Sequence, residues 1–160
     1  MAIITFVDAG ISKLGFVLAT SSVEPPENPY QPPACDKILL EKHISIKTQT
    51  ANYNEILAIL TAVNLFVQLN PIFTDFYVLS DSQLAVGMCN YWLAQHYYRI
   101  LGSLKRPFPM ITPRSDKLAS LSHRIIDNLG KNRTKIPILL WIPREVNLAG
   151  ILLEKNKNKI

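Results

Sequence analysis

Thr74-Asp75-Phe76-Tyr77-Val78-Leu79-Ser80-Asp81-Ser82-Gln83-Leu84-Ala85-Val86 passes from a short apolar run, through a polar joint, into a helical pattern. Phe76 to Leu79 is rich in strand formers and bounded by polar residues, so it reads as a buried strand. An acid placed where a strand hands over to a helix lies at the carboxyl edge of a sheet. Open α/β sheets keep their binding crevices on that edge. Any other carboxylate delivered to the same edge would converge on Asp81.

The rest of the chain supplies a mixed sheet around this strand. Ala2 to Val7 is an apolar run broken only by Thr5, which suits a central strand covered on both faces, and Asp8-Ala9-Gly10 ends it with turn chemistry. Leu14 to Thr20 reads as a second strand, paired antiparallel with the first. Residues 21–35 carry five prolines (25, 26, 29, 32 and 33), too many for a ladder or a helix, and read as an exposed, semi-rigid loop. Ile38, Leu40, Ile44 and Ile46 alternate with Leu39, Glu41, His43 and Ser45, predicting a third strand with one wet face. A helix over 52–69 has Ile56, Ile59, Leu60, Val63, Phe66 and Val67 as its inner stripe, and Asn70-Pro71 stops it. After the organising strand come a helix over 82–96, a basic loop over 99–115, and a helix over 116–129 closed by Gly130. A last strand over 136–142 has Pro137 near its start, which favours a sheet edge. A short terminal helix over 147–155 and a polar tail over 156–160 complete the chain. The order β-β-β-α-β-α-α-β-α predicts an α/β fold with a five-stranded mixed sheet. Its first three strands are antiparallel, and the fourth and fifth arrive parallel to the first by helical crossovers.

Composition bounds the rest. A chain of 160 residues suits one domain with a proper core, and 48% apolar against 18% charged residues excludes disorder and a coiled coil. The net charge of +5 permits a polyanionic partner. Cys35 and Cys89 have no metal-type spacing and make no disulfide framework, pointing to a reducing compartment. Residues 1–7 are too short for a signal segment, and no apolar run reaches membrane-spanning length. The expectation is a soluble, intracellular, cytoplasmic protein.

If the first and fourth strands are parallel neighbours, Asp8 and Asp81 end side by side, about 4.8 Å apart. Glu55, on the first turn of the first helix, reaches the same spot if that helix packs against those strands. Three acids in one pocket either keep protons through raised pKa values or hold a hard divalent ion such as Mg²⁺. Each acid also has a plain structural reading. Asn52-x-x-Glu55 and Ser80-x-x-Gln83 both fit a capping box, which makes Asp81 a first-turn helix acid and Asp8 a turn residue.

The chain resembles the type 1 ribonuclease H family, including the domains joined to reverse transcriptases. The resemblance is carried by Ile4-Thr5-Phe6-Val7-Asp8-Ala9-Gly10, Thr50-Ala51-Asn52-Tyr53-Asn54-Glu55-Ile56-Leu57-Ala58 and Leu79-Ser80-Asp81-Ser82-Gln83. Trp92 and Pro143-Arg144-Glu145-Val146-Asn147-Leu148-Ala149 add weaker matches. It implies an endonuclease that cuts the RNA strand of RNA–DNA hybrids with Mg²⁺ or Mn²⁺, two ions being usual. Carried over by position, Asp8, Glu55 and Asp81 are catalytic metal ligands. Asn52 and Gln83 read the minor groove, where 2′-hydroxyls mark RNA. Arg99, Lys105, Arg106 and Arg114 fall where some members hold the DNA strand by its phosphates. The family's fourth carboxylate is missing, because Gly150 stands where the acid is expected; Glu154, one turn later, and Glu145 are candidate substitutes. Two further functions fit the same fold: a nucleic-acid-binding or scaffolding module with weakened hydrolysis, and a resolvase- or integrase-like nuclease acting on DNA.

Overall fold

The first strand, β1 (Ala2–Ala9), is the middle of the sheet: it pairs antiparallel with β2 (Lys13–Ser21) and parallel with β4 (Asp75–Ser80). β3 (Lys37–Ser45) extends the β2 side and β5 (Ile138–Trp141) the β4 side, giving the order β3-β2-β1-β4-β5. This computed structural model describes residues 1–71, 74–102, 109–114, 116–130 and 133–157, the side chains at 99, 116, 156 and 157 excepted. The strand directions are those expected from the sequence, β1 and β4 are indeed neighbours, and β5 lies at an edge with Pro137 just before it.

Helices cover both faces. α1 (Ala51–Leu69), α2 (Gln83–Gly102) and α3 (Asp116–Leu129) enclose the larger core, in which Phe66 meets Phe76 edge-on at 5.4 Å. α4 (Leu148–Lys157) lies on the opposite face over β1 and β2 and closes a smaller core with Ile4, Phe6, Tyr77 and Leu79. Its close approach depends on Gly15, where an added Cβ would stand 2.8 Å from Leu153 Cγ and 3.1 Å from the Ala149 carbonyl oxygen. Gly15 pairs with Asp8, so the contact that seats α4 lies beside the carboxyl edge.

Several local expectations are corrected. The N-cap of α1 is Thr50, whose hydroxyl accepts from the Tyr53 amide at 3.3 Å, so Asn52 and Glu55 form no capping box. At α2 the cap is Ser82, accepting from the Ala85 amide at 3.1 Å; Asp81 therefore precedes the helix, and Ser80-x-x-Gln83 is no box either. α2 also runs past residue 96 through a non-helical Tyr97. β3 lacks the predicted inner face over its first half. Its register shifts between Leu18 and Ala19, so Ile38 pairs with Ala19 and Leu40 with Leu18. The extra residue turns Ile38 and Leu40 to opposite faces, and both are more than 40% exposed. The proline-rich loop is only partly exposed: Pro25 is buried, and Tyr30 meets Trp141 edge-on at 5.9 Å.

Candidate active site at the carboxyl edge of the sheet

Register alone brings two acids together. Val7 pairs with Ser80 as the last rung of the parallel β1–β4 ladder, so the next residues, Asp8 and Asp81, stand side by side where that ladder ends. Glu55 arrives from the second turn of α1, not the first as expected, because the helix starts at Ala51; α1 packs on β1. One carboxylate oxygen from each lies within 4.8 Å of the others, and among the described residues this is the group able to hold a metal.

Two buried amides build the frame around these acids. Asn54 is fully buried and donates through Nδ2 to the carbonyl oxygens of Gly10 (2.9 Å) and Ile11 (3.0 Å), binding the turn after Asp8 to α1 beside Glu55. Asn147, also fully buried, donates through Nδ2 to the Val7 carbonyl (2.9 Å) and to Asp81 Oδ2 (3.3 Å). Its own Oδ1 accepts from the Ala149 amide at 3.1 Å, so one side chain caps α4 and clamps it to β1 and Asp81. Trp141 adds an indole N–H to the Asp81 carbonyl at 3.1 Å. None of these supporting roles was assigned from the sequence. The signal for Asn147 was present, since asparagine just before a helical pattern is a preferred N-cap.

Crowding governs the protonation of the site. Burial is the main cause that raises Glu55, with the charges of Asp8 and Asp81 adding to it, and its carboxyl is pushed up to about 9. Burial likewise raises Asp81 to about 6, helped by Asp8 and opposed by the Asn147 amide and the Arg144 charge. Asp8 is raised by burial too, against the Ala9 amide, Glu55 and Arg144. Three carboxyls that resist ionising together are groups whose charge a cation would stabilise. Glu55 is 9% exposed, and its Oε2 has no hydrogen-bond partner. A buried carboxylate oxygen left unpaired beside two other acids fits a hard-cation ligand.

Asn52 and Gln83 are exposed near the N-terminal ends of α1 and α2. Arg114 is exposed and borders a cavity of about 440 Å³ shared with Leu84, Met88 and Leu118, against the start of α2. That end of the basic loop is fastened by the Ile111 amide on the Gly87 carbonyl (3.0 Å) and by Asn90 Nδ2 on the Pro109 carbonyl (3.1 Å). Lys105, Arg106 and the side chain of Arg99 lie outside the described residues, as do residues 158–160 of the expected tail. Glu154 does not join the acids: Arg144 holds it at 2.8 Å, with both side chains exposed. Glu145 points no carboxylate at them either and is exposed in the 3-10 turn Arg144–Val146. Gly150 does sit at the cluster, where a Cβ would lie 3.2 Å from Asp8 Oδ2 and 3.9 Å from Asp81 Oδ2.

No protein-family profile and no curated protein matches this chain. Solved structures do. LC11-RNase H1, solved in complex with an RNA/DNA hybrid, superposes with a TM-score of 0.58 over 98% of this chain and 99% of its own, at 18% identity. RNase H1 from the halophilic archaeon Halobacterium salinarum gives 0.53 over 93% and 91%, at 17% identity. The foamy viral protease-reverse transcriptase in complex with RNA/DNA hybrid gives 0.58 and 20% identity over 99% of this chain, which spans 20% of that one.

The fold is that of ribonuclease H.

At these identities the likeness concerns the ribonuclease H fold itself, and chemistry has to be argued from the residues. The ribonuclease H sheet explains why the acids meet: its first and fourth strands are parallel neighbours, and its first helix packs over both. Among the described residues no helix is long and apolar enough to cross a membrane, and Cys35 and Cys89 are both free.

Proposed function

We propose that this chain is a metal-dependent endonuclease that hydrolyses the RNA strand of RNA–DNA hybrids. The observation that carries the reading is the convergence of Asp8, Glu55 and Asp81 at the carboxyl edge, with a buried, unpartnered Glu55 oxygen among them. The fold is consistent with it, and two structural neighbours hold an RNA/DNA hybrid. In this reading the three carboxylates hold Mg²⁺ or Mn²⁺, which when bound supplies the charge to acidify a water and to stabilise a leaving oxygen. Asn147 and Trp141 keep Asp81 in place, and Asn54 keeps Asp8 and Glu55 in register. Asn52 and Gln83, both exposed, would read the minor groove and its 2′-hydroxyls. Arg114, with Arg99, Lys105 and Arg106, would hold backbone phosphates without reading sequence.

One observation favours a second reading, a nucleic-acid-binding or scaffolding module with weakened hydrolysis: Gly150 offers no oxygen where a further ligand would stand. Incubation with hybrid, double-stranded RNA and double-stranded DNA, in Mg²⁺ and then Mn²⁺, separates the two. Hybrid cleavage that disappears in Asp81→Asn supports the nuclease. Salt-sensitive hybrid binding without cleavage supports the module, and cutting of duplex DNA alone would overturn both.

A further inference from the structure

Resting on the nuclease reading, we infer that the acidic centre binds one divalent cation tightly, not two, and that Arg144 supplies the second positive charge at the scissile phosphate. The three converging oxygens lie within 4.8 Å of one another. Oxygens surround Mg²⁺ at about 2.1 Å, so a set of that span closes around a single ion with small adjustments. A second ion, about 4 Å from the first in two-metal sites, needs oxygen donors of its own. The side next to α4 withholds them. Gly150 faces Asp8 and Asp81 with no side chain, and Glu154, one turn further on, is bound to Arg144 at 2.8 Å.

Arg144 occupies that same side. It lines a cavity of about 530 Å³ together with Asp8, Lys13, Gly150 and Glu154. Its charge acts on both Asp8 and Asp81. A guanidinium stays charged throughout the working pH range and has five donors in a planar fork suited to phosphate oxygens. Glu154 accepts one bond, from Arg144 Nη2, which makes Glu154 a positioning residue and leaves other donors for a ligand. A cation on the same cavity as Asp8 also repels a second divalent ion, so the missing ligand and the present charge act in the same direction. During hydrolysis the water oxygen bonds to phosphorus while the bond to the 3′ oxygen breaks with its electron pair. Arg144 offsets the charge on the phosphate oxygens; the water's proton passes to solvent, and the 3′ oxygen takes one up, leaving a 5′-phosphate and a 3′-hydroxyl.

Titration of the full chain with Mn²⁺, counting free ion by electron paramagnetic resonance, tests the ion number without relying on turnover. Wild type should bind one Mn²⁺, with any second at least about tenfold weaker, since even outer-shell changes cost that much. Gly150→Asp should gain a second ion; Gly150→Ala, which adds bulk without a ligand, should stay at one. Arg144→Ala should keep the tight ion yet lose on the order of a hundredfold in kcat on hybrid with little change in KM, the size expected for one lost charge-stabilising donor, and Arg144→Lys should recover part of it. Two ions of similar affinity in wild type, or Arg144→Ala cutting at the wild-type rate, would overturn the inference. Failure of wild type to bind any more Mn²⁺ than Asp81→Asn would instead remove the nuclease reading beneath it.

Discussion

Replacing Asn147 by alanine should reach both the fold and the chemistry, because a single buried amide serves β1, α4 and Asp81. The substitution deletes the bonds to the Val7 carbonyl, Asp81 Oδ2 and the Ala149 amide at a position with no solvent access. Net hydrogen bonds contribute about 1 kcal/mol each and a stranded buried group costs about 1–3 kcal/mol, so the loss should be on the order of 3–4 kcal/mol. That is a large share of a stability of about 5–15 kcal/mol, but it leaves a folded protein to study. Urea unfolding at neutral pH should show a lower midpoint with an unchanged slope. Asp81 should also hold its proton more strongly than its value of about 6 implies, since the amide currently favours the ionised form. A carboxyl-carbon NMR titration reads that shift, and Mn²⁺ affinity should fall by about 10–100-fold. A stability loss under about 1 kcal/mol, below the cost of even one stranded group, or an unmoved Asp81 titration would refute the clamp.

The metal-free protein should lose stability as the pH rises. Folding lifts the Asp81 and Glu55 carboxyls from 3.8 and 4.5 to about 6 and about 9. Both therefore stabilise the folded state at acid pH and surrender that contribution as pH climbs through those folded values. Glu55→Gln should flatten the fall between about pH 6 and 8, Mg²⁺ should offset it, and a level wild-type profile would contradict the assigned crowding. Gly15→Ala should cost about 1–3 kcal/mol by forcing α4 off the sheet, and thermal melts at a fixed pH would record it. Thr50→Ala should cost about 1 kcal/mol as a lost N-cap while Asn52→Ala stays within about 0.5 kcal/mol; equal losses would restore Asn52 as the cap.

The strand and helix order, the parallel relation of β1 to β4 and the edge place of β5 were legible in the linear chain. Periodicity, proline placement and crossover rules act over short stretches, and they carry that information without knowledge of partners. Asp8, Glu55 and Asp81 were legible for the same reason, since each ends or begins an element that points to one edge. Local signals went wrong where more than one residue could serve. Thr50 and Asn52 both suit a helix start, and only the backbone geometry at Thr50 selects it. The bulge in β3 left no trace in an alternating pattern, because an extra residue changes which side chains face inward without changing their order.

Tertiary structure alone decided what surrounds the acids. Asn147 reaches β1 from 140 positions away, Trp141 reaches the Asp81 carbonyl across 60, and the Gly15 contact sets how near α4 can lie. Such contacts depend on distances between elements, which no local pattern encodes. The sequence by itself set three carboxylates near the ends of elements able to meet at one edge, and the strand pairing and helix packing brought them together. How strongly they repel, which amides restrain them, and that Arg144 takes Glu154 away from them are consequences of burial and packing, present only once the chain has closed.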